Sequence, residues 1–181
     1  TSGATFSAAE NQTAIGTVTA NDPEGNSFTF SISGDELAIT SDGILTFVAA
    51  PDYETKTSYT ATVTATDTDD NSATQDITVN VTNVNDNNPV FTSNSTFSVA
   101  ENETAIGTAT ATDADGDDVT FSVTGSELSI TSAGVLTFVS APDYETKTSY
   151  SATVTASDGT NSTTQDITVN VTNVNDVAPE F

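Results

Sequence analysis

The sequence predicts an all-β chain folded as two tandem seven-strand Greek-key β-sandwiches, set end to end. Three observations predict it. Apolar residues alternate with Thr and Ser at a period of two, as in Phe28, Phe30 and Ile32, or Ile77, Val79 and Val81. That alternation marks a half-buried strand, and Thr and Val are good strand residues. The chain also repeats itself: Thr74–Asp86 (TQDITVNVTNVND) is identical to Thr164–Asp176, and Pro51–Tyr59 returns as Pro142–Tyr150. Finally, Gly16, Gly25, Gly34 and Gly43 fall in or beside the connections between apolar runs, and no window carries a helical pattern.

Seven strands follow in each repeat. In the first they are expected near 4–9, 13–20, 27–33, 37–40, 43–48, 57–66 and 73–82. Short alternating strands of this number in about 90 residues read as a Greek-key sandwich. The expected core holds Phe6, Ile15, Val18, Phe28, Phe30, Ile32, Leu37, Ile39, Leu45, Phe47, Val63, Ile77, Val79 and Val81. Domains this small bury little apolar surface, so their stability margin is thin.

The repeat fixes the expected organisation. Glu10 corresponds to Glu101 at a shift of 91 and Asp86 to Asp176 at a shift of 90, so one residue is lost after Asp158. We expect domains at 1–87 and 88–181, joined by a linker at 83–91. The linker reads Asn-Val-Asn-Asp-Asn-Asn-Pro-Val-Phe, and a second copy of the motif occupies 173–181. Consecutive Asn and Asp followed by Pro make a poor strand interior and an oxygen-rich bend. The chain begins mid-pattern, which suggests a piece of a longer array.

Charge narrows the function. The net charge is −24, with 26 acidic residues against Lys56 and Lys147 and no Arg. Nucleic acid needs cationic side chains for its phosphates, so it is not an expected partner. An anionic membrane surface repels such a chain, and no apolar run reaches the length of a membrane span. Cys, His, Met and Trp are all absent, which removes thiolate chemistry and soft-metal ligands. Paired carboxylates such as Asp52 and Glu54 serve glycosidases elsewhere. Here the pair recurs in tandem with no aromatic-lined cleft to hold a sugar, and no enzyme activity is expected. The Asn-x-Thr sequons at Asn11, Asn80, Asn94, Asn102, Asn161 and Asn170 are unremarkable in so Thr-rich a chain.

The acids recur in a pattern. Glu10, Asp22, Glu24, Asp52, Glu54, Asp67 and Asp86 are answered by Glu101, Asp113, Asp115, Asp143, Glu145, Asp158 and Asp176. Each lies at an expected strand end or turn. In a sandwich these gather at two poles, and stacking two domains brings the lower pole of one to the upper pole of the next. Single acids in turns are usually just solvated. Seven at one junction are another matter, because two at about 5 Å repel by about 3 kcal/mol at an effective dielectric near 20. Calcium, which accepts six to eight oxygens in flexible geometry, is the natural remedy; magnesium demands a tighter octahedron. Asn83, Val84, Asn85 and Asn87 can add neutral oxygens.

Five elements taken in order resemble the cadherin pattern over essentially the whole chain, twice. They are Glu10-Asn11, the turns Asp22-Pro-Glu24-Gly25 and Asp113-Ala-Asp115-Gly116, the segment Pro51-Asp52-Tyr53-Glu54, Ala65-Thr-Asp67 with Ala156-Ser-Asp158, and the linker. The resemblance implies two or three calcium ions at the junction. An outer ion would take Glu10, Asp52, Glu54 and Asp86. A middle ion would take Glu10, Glu54, Asn83, the Val84 carbonyl, Asp86 and Asp115. A third would take Asn85, the Asn87 carbonyl, Asp113, Asp115, Asp158 and a carbonyl near Asp117. Asp22, Glu24 and Asp67 would form an incomplete amino-terminal pole, and Glu101, Asp143, Glu145, Asn173 and Asp176 an incomplete carboxy-terminal one. The family's first linker Asp is Asn83 here, which removes a charge from the middle site. No Trp stands near the amino terminus, so strand-swapped adhesion is not expected. The Thr-, Ser-, Asp- and Asn-rich composition looks like a repeat of a large bacterial surface adhesin.

The expected function is a calcium-rigidified extender in a secreted or cell-surface protein, with neighbouring repeats of the same chain as partners. The alternative is an adhesive module that binds itself, another surface protein or a glycan.

Overall fold

The computed structural model describes residues 2–178. The second linker motif, 173–181, therefore has its last three residues outside the described part. The chain divides into two compact units, Thr1–Val84 and Asn85–Phe181.

Unit 1 contains β1 (Thr5–Ala9), β2 (Ala14–Thr17), β3 (Phe28–Ile32), β4 (Leu37–Ile39), β5 (Ile44–Phe47), β6 (Ser58–Asp67) and β7 (Ser72–Thr82). They match the seven expected strands to within a residue or so at most ends; β2 stops three residues short, while β6 and β7 each run one residue further into their shared turn. One sheet runs β1-β7-β6-β3 and the other β2-β5-β4. β1 lies parallel to β7, with Phe6 opposite Val79. β6 and β7 form the longest antiparallel ladder, from Ser58 opposite Asn80 to Thr66 opposite Ser72.

Between the sheets lies a core of Ala8, Val18, Leu37, Leu45, Phe47, Val63, Ile77, Val79 and Val81. Phe6, Ile15, Phe30, Ile32, Ile39, Tyr53, Tyr59 and Ala61 pack around it. Phe28 is half-buried and meets Phe30 edge-on at 5.5 Å, rather than joining the central cluster. Ala8, Tyr53, Tyr59 and Ala61 lie outside the core expected from the sequence. Tyr59 packs edge-on against Phe47 with ring centroids 5.0 Å apart. Gly43 shows why a glycine closes the β4–β5 turn: its φ is +89°, and a Cβ there would lie 2.3 Å from the Val18 carbonyl oxygen.

Unit 2 repeats the plan with β9 (Thr96–Ala100), β10 (Ala105–Thr108), β12 (Thr120–Val123), β13 (Leu128–Ile130), β14 (Val135–Phe138), β15 (Ser149–Ser157) and β16 (Ser162–Thr172). The four-stranded sheet is β9-β16-β15-β12 and the three-stranded sheet β10-β14-β13. Two further strands depart from the expected seven. β8 (Val90–Phe91) emerges from the linker and pairs antiparallel with β11 (Ala111–Thr112). The second expected strand is thereby split into β10 and β11. The cause is local: Val and Phe after Pro89 are strand-forming, and Phe91 has a hydrophobic destination against the core.

Candidate metal centre

Glu10 and Glu101 are the buried charged residues of the two units, each 3% exposed. The burial is compensated locally. Glu101 accepts the Tyr144 N–H at 2.9 Å and the Val174 N–H at 2.7 Å, one on each oxygen. Glu10 accepts the Tyr53 N–H at 2.7 Å and the Val84 N–H at 2.8 Å in the same way. One carboxylate thus ties the Pro-Asp-Tyr-Glu loop to the exit of the last strand. Ionised carboxylates need such donors when removed from water.

Around Glu101 stand the rest of the carboxy-terminal pole. Asp143 accepts the Glu145 N–H at 3.0 Å and the Thr146 hydroxyl at 2.7 Å, and these bonds hold its carboxyl below the usual range. The largest contribution is the Thr146 hydroxyl, against opposing desolvation. Asn173 donates to Glu145 at 3.0 Å, and Asn102 donates to Asp176 at 2.7 Å. Glu101, Asp143 and Glu145 each offer an oxygen within 4.8 Å of the others. In unit 1 the matching Asp52 accepts the Thr55 N–H at 3.2 Å and the Thr55 hydroxyl at 2.9 Å, while Glu54 and Asn83 are exposed.

A second acid group forms in unit 2 from the turn after β11. Asp113, Asp115 and Asp117 offer oxygens within 4.8 Å of one another. The turn is built by Asp113 Oδ1, which accepts the Asp115 N–H at 2.9 Å and the Asp117 N–H at 3.4 Å. Its other oxygen, Oδ2, is buried without a hydrogen-bond partner. Asp115 Oδ2 accepts the N–H groups of Asp86 at 3.1 Å and Asn87 at 2.9 Å, so it fastens the start of unit 2 to this turn.

Beside it lies a residue that the sequence reading missed. The side-chain amide of Asn161 donates to Asn85 Oδ1 at 2.6 Å and reaches the Asn85 carbonyl at 3.4 Å, the Asn87 carbonyl at 3.2 Å and Asp158 Oδ2 at 3.4 Å. It is a hydrogen-bond donor in the midst of four converging oxygens. The signal available was its recurrence: Asn161 occupies the place of Asn71, which closes the same turn in unit 1. Asp158 sits below its ordinary value; burial opposes this most strongly and is outweighed by bonds from Asn161, Thr160 and Asn85.

The amino-terminal pole is simpler. Asp22 Oδ1 accepts the Glu24 N–H at 2.8 Å and the Asn26 N–H at 3.1 Å. Asp67 accepts the Asp69 and Asn71 N–H groups at 2.8 and 2.9 Å, and its carboxyl is lowered chiefly by the Asn71 side chain at 3.0 Å. Asp22 and Asp67 line one groove, whereas Glu24 is exposed.

Two sandwiches in tandem, each carrying carboxylates and backbone donors at its strand ends, define an immunoglobulin-like class in which loops rather than sheets hold the chemistry. The chain belongs to the bacterial Ig domain family, whose model matches residues 1–81 and again 85–172. It is also cadherin-like. It is 37% identical over 61% of its length to human "Cadherin EGF LAG seven-pass G-type receptor 2", and 34% identical over 93% of its length to "Protocadherin-like wing polarity protein stan" of Drosophila melanogaster. It spans only 4% and 6% of those proteins. Among solved structures, mouse cadherin-23 EC22-24 superposes with a TM-score of 0.76 at 22% identity, covering 95% of this chain and 64% of that one. Human protocadherin-24 EC1-2 does so at 0.76 and 19%, covering 94% of both. No helix among the described residues is long and apolar enough to cross a membrane.

Proposed function

We propose that the chain is a calcium-binding tandem repeat that stiffens and extends a secreted or cell-surface adhesion protein. The observation that carries this reading is the oxygen cluster of unit 2. Asp113 keeps a buried carboxylate oxygen without a partner, beside two further aspartates within 4.8 Å. An orphaned charged oxygen among like charges is costly, and a cation removes the cost. All available ligands are oxygens, which selects a hard ion, and the mixture of carboxylate, amide and carbonyl suits calcium.

In this reading one ion is held by Asn85, Asn87, Asp113, Asp115, Asp158 and a carbonyl near Asp117. Asn161 marks its seat. A half-turn of that amide replaces its donor with Oδ1, which then becomes a ligand. The remaining ions use Glu10, Asp52, Glu54, Asn83, Val84 and Asp86, with Asp115 shared. We assign the repeat boundary after Asn87 and the linker to 83–91. Glu101, Asp143, Glu145, Asn173 and Asp176 are the equivalent half-site for a following repeat, and Asp22, Glu24 and Asp67 for a preceding one. Partners are neighbouring repeats of the same array, and the reading includes no catalytic role.

Small-angle scattering during an EDTA titration tests it. Chelation is expected to broaden the distribution of interdomain distances and lower the melting temperature. Identical scattering and melting with and without calcium would refute the stiffening role.

A further inference from the structure

We infer that the Asn161 amide stands in for a cation while the chain is metal-free, and that residue 161 sets the calcium concentration at which the seat in unit 2 fills. The inference rests on the calcium site proposed for that unit. Asn85, Asn87, Asp158 and Asn161 all belong to unit 2. The backbone of Asn161 is pinned on both sides. Its N–H donates to Asp158 Oδ1 at 2.6 Å. Its carbonyl accepts the Ser157 hydroxyl at 3.0 Å and the Asp158 N–H at 3.3 Å. From this fixed root the half-buried side chain aims Nδ2 at Asn85 Oδ1, the Asn85 and Asn87 carbonyls, and Asp158 Oδ2.

An amide nitrogen carries two hydrogens, and four oxygens compete for them here. Asn85 Oδ1 is held closely at 2.6 Å, while the other three wait at 3.2, 3.4 and 3.4 Å. Such a shell satisfies its acceptors poorly, because a weakly positive NH2 group stands where a full positive charge would serve. The donor still has a use. Without it the oxygens would repel one another, and Asn85 and Asn87 would lose their anchor to the turn at Asp158. Asn161 therefore keeps the start of unit 2 docked in the absence of metal. The same side chain, turned by half, presents Oδ1 instead, so one residue is a donor in the empty seat and an acceptor in the filled one. An ion is bound at the expense of the amide's hydrogen bonds, and the balance between the two fixes the affinity. The Asn71 amide in unit 1 donates to Asp67 Oδ2 at 3.0 Å, within its own turn.

The experiment compares the 181-residue chain with Asn161→Ala, Asn161→Asp and, as a control, Asn71→Ala. Hydrogen exchange of the Asn87 amide is followed in EGTA, and its chemical shift is followed as calcium is added. In EGTA, Asn161→Ala is expected to speed exchange about tenfold through loss of the anchor. Asn161→Asp is expected to speed it further, because a second carboxylate then faces Asp158. With calcium the order changes. Asn161→Asp is expected to bind about tenfold more tightly through its added charge, and Asn161→Ala about tenfold more weakly through its lost ligand. Asn71→Ala is expected to leave both readings at Asn87 unchanged. A merely structural role would move Ala and Asp together in both buffers. Unchanged exchange in Asn161→Ala, or calcium affinities shifted in the same direction by Ala and Asp, would overturn the inference while leaving the calcium site standing. An unsubstituted chain that shows no calcium-dependent shift would overturn the calcium site itself, and the inference with it.

Discussion

Glu101 illustrates how a single side chain can organise a loop. Its two oxygens satisfy two backbone N–H groups from segments 30 residues apart in sequence, Tyr144 and Val174. Glu101→Ala removes both acceptors and leaves two donors in a nearly water-free place. The expected loss is about 2–3 kcal/mol in urea unfolding of the metal-free chain. A loss below about 0.5 kcal/mol would show that the donors find other partners. Asp67, Asp143 and Asp158 act through hydrogen bonding as well, and each is held below the ordinary carboxylate pKa in the folded state. The sign follows: the folded chain binds protons less readily than the unfolded one, so these groups stabilise the fold above the unfolded carboxylate pKa of about 4. That stabilisation is lost as pH falls from there through the lowered folded values. The melting temperature in EGTA should therefore drop between about pH 4.5 and pH 2.5; a flat profile would contradict the argument.

The site was only partly legible at this scale. The acids of the poles could be read because charge is conspicuous and both copies carry it. Asn161 was not, because a neutral amide in a chain rich in Asn, Ser and Thr carries no sequence signal beyond its recurrence. Ala8 escaped the core reading for a similar reason: a small residue on the inward face of β1 looks like a spacer until Val81 is set beside it.

At the scale of elements, the period of two revealed the strands because one face of each sheet is buried and the other wet. It could not reveal β8. Val90 and Phe91 are too short a run to show alternation, and the Asn-rich residues before them read as a bend. Strand ends are set by glycines whose roles the sequence alone could not rank. Gly134 has φ +88°, and a Cβ there would lie 2.2 Å from the Ala109 carbonyl oxygen. Gly125 has the same φ of +88° with open space around it. Gly134→Ala should cost about 3 kcal/mol or more, combining clash with backbone strain, while Gly125→Ala should cost about 1 kcal/mol from strain alone. Thermal unfolding of the two variants checks this, and equal losses would mean that the close approach at Gly134 relaxes freely.

For the molecule as a whole, a net charge of −24 sets the problem that the proposed calcium would answer. Sandwiches this small keep little in reserve, so ions bound to the native state add directly to stability, by RT ln(1 + [L]/Kd) for each site. At calcium one hundred times above its dissociation constant, each site contributes about 2.7 kcal/mol. The melting temperature should rise steadily with calcium, and magnesium at equal concentration should do much less, because its small octahedral shell fits this mixture of ligands poorly. Equal effects of the two ions would point to plain screening of surface charge. Asp113→Asn should remove one bound ion while leaving both sandwiches folded, because the amide oxygen keeps the turn bonds to the Asp115 and Asp117 N–H groups; a count of ions by native mass spectrometry checks it.

The most direct measurement is a count of calcium ions per chain by native mass spectrometry at millimolar calcium, with the EDTA-treated chain as reference. Two or three ions retained per molecule is the predicted result. A chain that carries none, with its acidic loops surrounded only by water and monovalent salt, would contradict the account.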